Sequence, residues 1–296
     1  MRVTVVLFGL LCSTALVISA VPLVLDPQDD VRGAFLTSRP KEKTANSSTA
    51  PKTTHRRPKP VVTDNKPPSG TTSSDQKTPK PEHKHSKAVN AQRLGLGLTL
   101  FMRDATGLAV RTDPARVFQK GDRVRVLLET NSDGFLYIFN TTNDGPPVMV
   151  YPDADLDEAG NYLQAHVPFE IPSSLAAEER LRWLVFDENA GNERLFFVFT
   201  KEPLKGLPIE DELIALCRDS KSSCPVKPTA EVWAQIEKEL KQPLQSDTSA
   251  QNGRAQTPAE QPRGLGLAKD DPQPSLIMMA SSKTSTLVTT LDLIHK

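Results

Sequence analysis

The sequence predicts a mainly β fold, in the form of a β-sandwich-like antiparallel domain with two short helices after the main strands and long disordered linkers. Several short segments alternate apolar and polar residues with a period of two, which is typical of half-buried strands. Clusters of Gly, Pro, Asn and Asp separate these segments and mark turns. Short strands spaced by turns are the pattern of a sandwich or a small barrel.

The strongest signal is the segment 118–140, which predicts two strands joined by a tight turn, a β-hairpin. In the first strand, Val124, Val126 and Leu128 alternate with charged residues, so one face is expected to be buried. The second strand is apolar on both faces, which predicts a central position in a sheet. The residues expected to shape this hairpin are Gly121, Asp122, Asn131, Asp133, Gly134 and Tyr137.

The N-terminal residues 1–20 have the pattern of a signal peptide. Arg2 provides a positive region, residues 3–17 are almost entirely apolar, and Ala20 provides a small residue at the cleavage point. A membrane span needs about 20 apolar residues, so we expect cleavage, with an uncleaved anchor as the alternative. The protein is therefore expected to be exported, periplasmic or secreted, and to contact a membrane only through an uncleaved signal. The sequence assigns no structure to the short leader 21–37.

Residues 38–90 predict a disordered basic linker rich in Pro, Lys, Thr and Ser, because such a composition buries too little apolar surface to offset the entropy of ordering. Residues 39–90 hold 12 Lys and Arg against 4 Asp and Glu, a net charge of +8, whereas residues 91–204 carry a net charge of −6. A basic arm of this kind contacts an anionic envelope polymer or a protein, or serves as a plain spacer. It holds no aromatic residue on which bases could stack, so nucleic acid is not an expected partner.

The β-rich domain is expected over residues 91–241, with helices over 208–218 and 229–241 after the strands. Pro208 and Thr229 suit the first turn and the N-cap of these helices. Residues 242–273 predict a second disordered linker. Residues 274–296 predict a C-terminal β-hairpin that returns to the domain and pairs with an open sheet edge. Besides the hairpin of 118–140, strands are predicted over 94–101, 107–111, 147–151, 162–171, 181–186 and 194–200.

Cys217 and Cys224 are the only cysteines after the predicted signal peptide. Two cysteines in an exported chain predict a disulfide. Two free thiols are the alternative, and the spacing does not match the usual zinc sites.

Several of these segments together resemble a bacterial family known as domain of unknown function 4384. The resemblance covers residues 93–214 and implies a β-sandwich that is often exported, with no established activity. The positions that carry it are Gly121, Asp122, Asn131, the block 133–137, Tyr151, Pro152, Glu193 and the block 200–203.

The acidic stretch 153–158 is the one constellation with ligand character. Asp153, Asp155 and Asp157 provide hard oxygen ligands of the kind that Ca²⁺ prefers. The stretch departs from an EF-hand loop, because Glu158 stands where Gly is required and Gln164 where a bidentate Glu belongs. A solvated acidic loop is therefore favoured over a metal site.

Catalytic residues and cofactors are not expected from the sequence. His166 is predicted to face outward from its strand, and Cys217 has no neighbouring base in a known motif. The favoured function is an exported, non-catalytic β-rich binding or interaction module of the bacterial cell envelope. The alternative is a metal-assisted envelope hydrolase that uses the acidic loop Asp153–Asp157.

Overall fold

The computed structural model describes residues 30–41, 93–153, 160–217, 226–249, 251–262 and 264–296. The α-helices in these ranges are α1 (Val31–Leu36), α2 (Glu210–Cys217) and α3 (Ala230–Leu240). The strands are β1 (Gly95–Arg103), β2 (Ala109–Arg111), β3 (Val117–Phe118), β4 (Arg123–Thr130), β5 (Gly134–Thr142), β6 (Val148–Tyr151), β7 (Tyr162–Leu163), β8 (Phe169–Ile171), β9 (Leu184–Val185), β10 (Gly191–Thr200), β11 (Leu244–Thr248), β12 (Leu276–Ala280) and β13 (Thr286–His295). Two short 3₁₀ helices cover Glu179–Arg182 and Pro258–Glu260.

These strands form two sheets that pack face to face, as the sequence predicts. Sheet A has the order β11-β12-β1-β4-β8, with β2 beside β1 and β9 beside β4. Sheet B has the order β3-β13-β10-β5-β6, with β7 beside β5. All pairings are antiparallel except the one between β13 and β3. One hydrophobic core lies between the sheets, because Leu98 and Val126 of sheet A pack in the same cluster as Ile138 and Phe197 of sheet B.

The predicted hairpin over 118–140 is wrong, because β4 lies in sheet A and β5 in sheet B. The turn between them is held by other segments. Asn131 donates from Nδ2 to the carbonyl of Arg93 (2.9 Å) and accepts the backbone N–H of Gly95 at Oδ1 (2.8 Å). Gly134 passes so close to β10 that a Cβ atom there would lie 2.5 Å from the carbonyl oxygen of Thr200. The chain therefore crosses between the sheets at this turn.

The predicted C-terminal hairpin is also wrong. β12 pairs with β1 and β11 in sheet A, whereas β13 lies between β10 and β3 in sheet B. The first half of β13 is buried on both faces, with Leu287 in the core between the sheets and Val288 in the cluster under the helices. A strand buried on both faces belongs inside a sheet rather than at its edge.

The predicted linker 242–273 instead covers sheet A. It contains β11, which pairs with β12, and the buried residues Glu260 and Leu267. Glu260 forms an ion pair with Arg111 at 2.5 Å, and both side chains are fully buried. The polar composition conceals this order, because part of it depends on buried polar contacts such as the ion pair of Glu260 with Arg111.

The N-terminal segment 30–41 packs on the outer face of sheet A. Val31 and Phe35 of α1 form a small buried cluster with Ile277 and Met279 of β12. The guanidinium of Arg39 forms a bidentate ion pair with Glu129, with distances of 2.7 and 2.6 Å. The predicted disorder of 38–90 therefore does not hold for its first residues. The predicted signal peptide and the remainder of the basic arm lie outside the described residues.

Helices α2 and α3 cover the outer face of sheet B, in agreement with the two predicted helices. Leu213 and Ile236 pack in one cluster with the outward-facing aromatic side chains of β5 and β10. Trp233 makes edge-to-face contacts with Phe139 and Phe196 at 5.8 and 4.9 Å between ring centres. No helix in the described ranges is long and apolar enough to cross a membrane.

Candidate functional site

A cavity of about 520 Å³ opens between the two sheets at one side of the sandwich. It lies where β8 and β9, which are three and two residues long, flank β4 at the edge of sheet A. Such short strands leave this edge of the sandwich partly uncovered, so the cavity opens beside the packed core. The apolar lining includes Val124, Val126, Ile138, Leu195, Phe197 and Leu293.

The mouth of the cavity is apolar as well. Val150, Leu184 and Val185 line the cavity and are 37%, 37% and 54% exposed. Exposed apolar side chains that continue into an apolar cavity are typical of ligand sites, because a ligand removes both from water. The mouth therefore favours an apolar molecule over a strongly polar one.

One wall of the cavity is polar and is formed by Asn140, Glu193 and His295, which we call the polar wall. Glu193 Oε2 accepts hydrogen bonds from Asn140 Nδ2 (2.7 Å) and from Thr142 Oγ1 (2.8 Å). His295 Nε2 lies 3.7 Å from Glu193 Oε1. The carboxylate is thereby held in one position at the end of the cavity.

Strand alternation explains why these three side chains meet. Leu195 and Phe197 of β10 point into the core, so Glu193 occupies the next inward position of the same row. Asn140 of β5 and His295 of β13 continue the inward rows of the two neighbouring strands. In the sequence, Glu193 stands out only as part of the family pattern, and no motif marks Asn140 or His295 as site residues. Extending the period-two alternation to the end of each strand would have placed these side chains on the inward face. It would not have shown that the three side chains meet.

Two atoms of the polar wall lack a hydrogen-bond partner among the described residues. They are Asn140 Oδ1 and His295 Nδ1, and both are buried. The ring of His295 is only 4% exposed and packs on Phe186, with ring centres 5.0 Å apart. Unpaired buried polar atoms of this kind are costly, so they point to a ligand or a water molecule in the cavity.

Asp187 adds a second carboxylate to the lining. Its Oδ1 accepts the backbone N–H of Asn189 at 2.8 Å, and its Oδ2 accepts the side-chain amide of the same residue at 2.8 Å. These hydrogen bonds hold the pKa of Asp187 below its usual value. The carboxylate is therefore ionised at neutral pH.

Several residues predicted to shape a hairpin instead build the cavity or the turns beside it. Gly121, at φ +88°, donates its N–H to the carbonyl of Phe186 (2.8 Å), and the N–H of Phe186 returns to the carbonyl of Asp122 (3.1 Å). This pair of bonds holds the Phe186 ring in the lining. Asp133 accepts the backbone N–H of Ala165 at 2.8 Å.

Tyr137 belongs to the opposite face of β5. It is fully buried, and its hydroxyl accepts the backbone N–H of Leu204 at 3.0 Å. It therefore supports the packing of sheet B against the helices rather than the cavity.

The acidic loop reaches the cavity through one described residue. Asp153 lines the rim, whereas Asp155 and Asp157 lie outside the described residues. Within the described part of the chain, no group of three or more His, Cys, Asp or Glu side chains is arranged to hold a metal ion. The weak Ca²⁺ candidate stays a prediction.

Cys217 is the last residue of α2 and is disulfide-bonded. Cys224 lies outside the described residues, so its pairing with Cys217 stays a prediction.

A second polar cluster joins the N-terminal segment to the outer face of sheet A. His166 is buried rather than facing outward, with Nε2 2.7 Å from Ser38 Oγ and Nδ1 2.7 Å from Glu129 Oε1. This order resembles a Ser-His-acid triad. However, Ser38 Oγ also donates to the carbonyl of Phe35 (2.9 Å), and Arg39 already neutralises Glu129. A hydroxyl whose single proton goes to a carbonyl is not activated by the imidazole, so the cluster acts as a clamp.

Similarity to known proteins is confined to the middle of the chain. No curated protein and no solved structure is similar enough to count as a match. The positions that carry the resemblance found in the sequence include Gly121, Pro152 and Glu193, and these residues lie in or beside the cavity wall. Residues 117–203 match the model of the family described as domain of unknown function (DUF4384), which confirms that resemblance.

Proposed function

We propose that this protein is an exported, non-catalytic binding module of the bacterial cell envelope, and that it binds an apolar ligand in the cavity between its sheets. The observation that supports this binding site is an apolar cavity of about 520 Å³ whose mouth is lined by exposed apolar side chains. Its size falls in the range of small-molecule sites, about 300–1,000 Å³.

Export is supported by the sequence alone. The positive first residues and the apolar run 3–17 have the pattern of a signal peptide. The basic residues after 41 support a separate proposal, in which an anionic envelope polymer or a protein contacts this arm.

Narrowing the mouth tests the cavity as a binding site. Val150 on β6 lines the mouth, whereas Val117 on β3 is equally exposed (40%) at the other edge of sheet B and does not line the cavity. We expect Val150→Trp to raise the Kd for the neutral dye Nile red about tenfold, which corresponds to about 1.4 kcal/mol. Val117→Trp should leave the Kd unchanged. Fluorescence titration measures both.

The proposal fails if the unaltered protein does not bind Nile red saturably, or if the two variants change the Kd by the same factor. Thermal unfolding of each variant serves as the control for folding, because both positions lie on edge strands.

A further inference from the structure

The cavity carries negative charge in addition to its apolar lining. Carboxylates of Asp153, Asp187 and Glu193 line it, and the described lining residues include no Lys or Arg. Two cations near the cavity form ion pairs with carboxylates that do not line it. Lys120 binds Glu188 at 2.6 Å, and Arg194, which points away from the core, binds Asp292 at 2.6 Å.

One of the two unpaired atoms of the polar wall is a hydrogen-bond acceptor. Asn140 uses its Nδ2 to donate to Glu193, so its Oδ1 is free to accept. Together with the carboxylate, the wall therefore requires a ligand that brings donors and positive charge.

We infer that the cavity binds a molecule whose apolar body ends in a protonated amine; this inference rests on the proposed function. An ammonium group carries three N–H donors and no acceptor, which matches Asn140 Oδ1 and the Glu193 carboxylate. The apolar body lies along the apolar lining towards the mouth at Val150, Leu184 and Val185. An alcohol of the same length fits the same space but brings only one donor and no charge. A ligand that ends in a carboxylate is repelled by the carboxylates of the lining.

Three ligands with the same alkyl chain and different head groups separate the contribution of the head group to binding from that of the apolar body. Octylamine, octanol and octanoate are titrated into the full chain at neutral pH and followed by calorimetry. We expect octylamine to bind about tenfold more tightly than octanol, because a charge-assisted hydrogen bond adds at least that factor. Octanoate should bind more weakly than octanol, because Asp187 and Glu193 repel it.

A matched pair of variants tests the carboxylate itself. Glu193→Gln keeps an oxygen to accept from Asn140 and Thr142 but removes the charge, so octylamine should lose its tenfold advantage over octanol. Glu188→Gln removes an exposed carboxylate that does not line the cavity and should change neither affinity.

The outcomes distinguish this inference from the function on which it rests. If octanol binds and octylamine binds no more tightly, or if octanoate binds best, the amine preference is wrong and the cavity remains a binding site. If none of the three ligands binds, the proposed function fails as well. If Glu193→Gln does not fold, the comparison of the three ligands on the unaltered chain still decides.

Discussion

At the scale of single residues, Tyr137 shows how burial changes the chemistry of a side chain. The residue is fully buried, and its hydroxyl accepts the backbone N–H of Leu204. Burial raises the pKa of Tyr137, because the phenolate form would lose its hydration, and the hydrogen bonds from Asn161 and Leu204 offset this only in part.

The stability of the protein is therefore expected to fall at alkaline pH. Below about pH 10 both the folded and the unfolded chain keep the Tyr137 proton, so this residue adds no pH dependence. Above that value the unfolded chain releases the proton while the folded chain retains it. The free energy of unfolding then decreases by at most about 1.4 kcal/mol per pH unit until the folded pKa is reached.

Urea unfolding at a series of alkaline pH values, with Tyr137→Phe for comparison, measures this effect. The variant should be less stable at neutral pH by about 1 kcal/mol for the lost hydrogen bond, yet its curve should fall less steeply. Parallel curves for the two proteins would contradict the prediction.

At the scale of elements, β13 joins the parts of the domain. It pairs with β10 along ten positions and with β3 at its end, and its side chains enter both hydrophobic clusters of sheet B. It also delivers His295 to the polar wall. A terminal strand in this position is part of the core of the fold.

A chain that ends at residue 281 should therefore fail to fold. Losing the strand removes all hydrogen bonds on one side of β10 and exposes both hydrophobic clusters. The free energy lost in this way exceeds a typical total stability of about 5–15 kcal/mol. Far-ultraviolet circular dichroism and limited proteolysis report the loss. Ile294→Thr, at a side chain that is 46% exposed, is the control and should unfold at nearly the same temperature. A cooperative unfolding transition in the truncated chain would refute this role.

At the scale of the whole molecule, the N-terminal segment 30–41 closes the outer face of sheet A together with the segment after β11. Phe35 is fully buried against β12, and Arg39 pairs with Glu129, whose side chain is only 3% exposed. Arg39 also donates to the carbonyl oxygens of Ala268 and Asp271. The segment thus connects distant parts of the chain.

Removing this segment should destabilise the protein. A chain that begins at residue 42 loses the ion pair of Arg39 with Glu129 and uncovers the buried side chains of Ile277 and Met279, whose exposure costs about 1.5–3 kcal/mol each. Its unfolding midpoint in urea should drop accordingly. A chain that begins at residue 30 is the reference. Equal midpoints for the chains that begin at 30 and 42 would show that the clamp adds no stability.

Local alternation in the sequence was sufficient to predict most strands. The predicted strands 94–101, 107–111 and 147–151 correspond to β1, β2 and β6, because period-two burial is a property of neighbouring residues. The predicted strand 162–171 is divided into β7 and β8. His166 adopts a left-handed backbone, at φ +58°, and donates its N–H to the carbonyl of Thr130, outside any ladder.

By itself, the sequence determined the fold class, the positions of the main strands, the helices after them and the family resemblance of the middle segment. Only the tertiary structure decided which strands share a sheet, that the polar segment 242–273 covers sheet A, and that Asn140, Glu193 and His295 meet. The physical reason is that alternation sets the face to which a side chain points. Strand partners depend on hydrogen bonds and apolar contacts from distant segments, such as those that hold Asn131 and Gly134 at the crossing between the sheets.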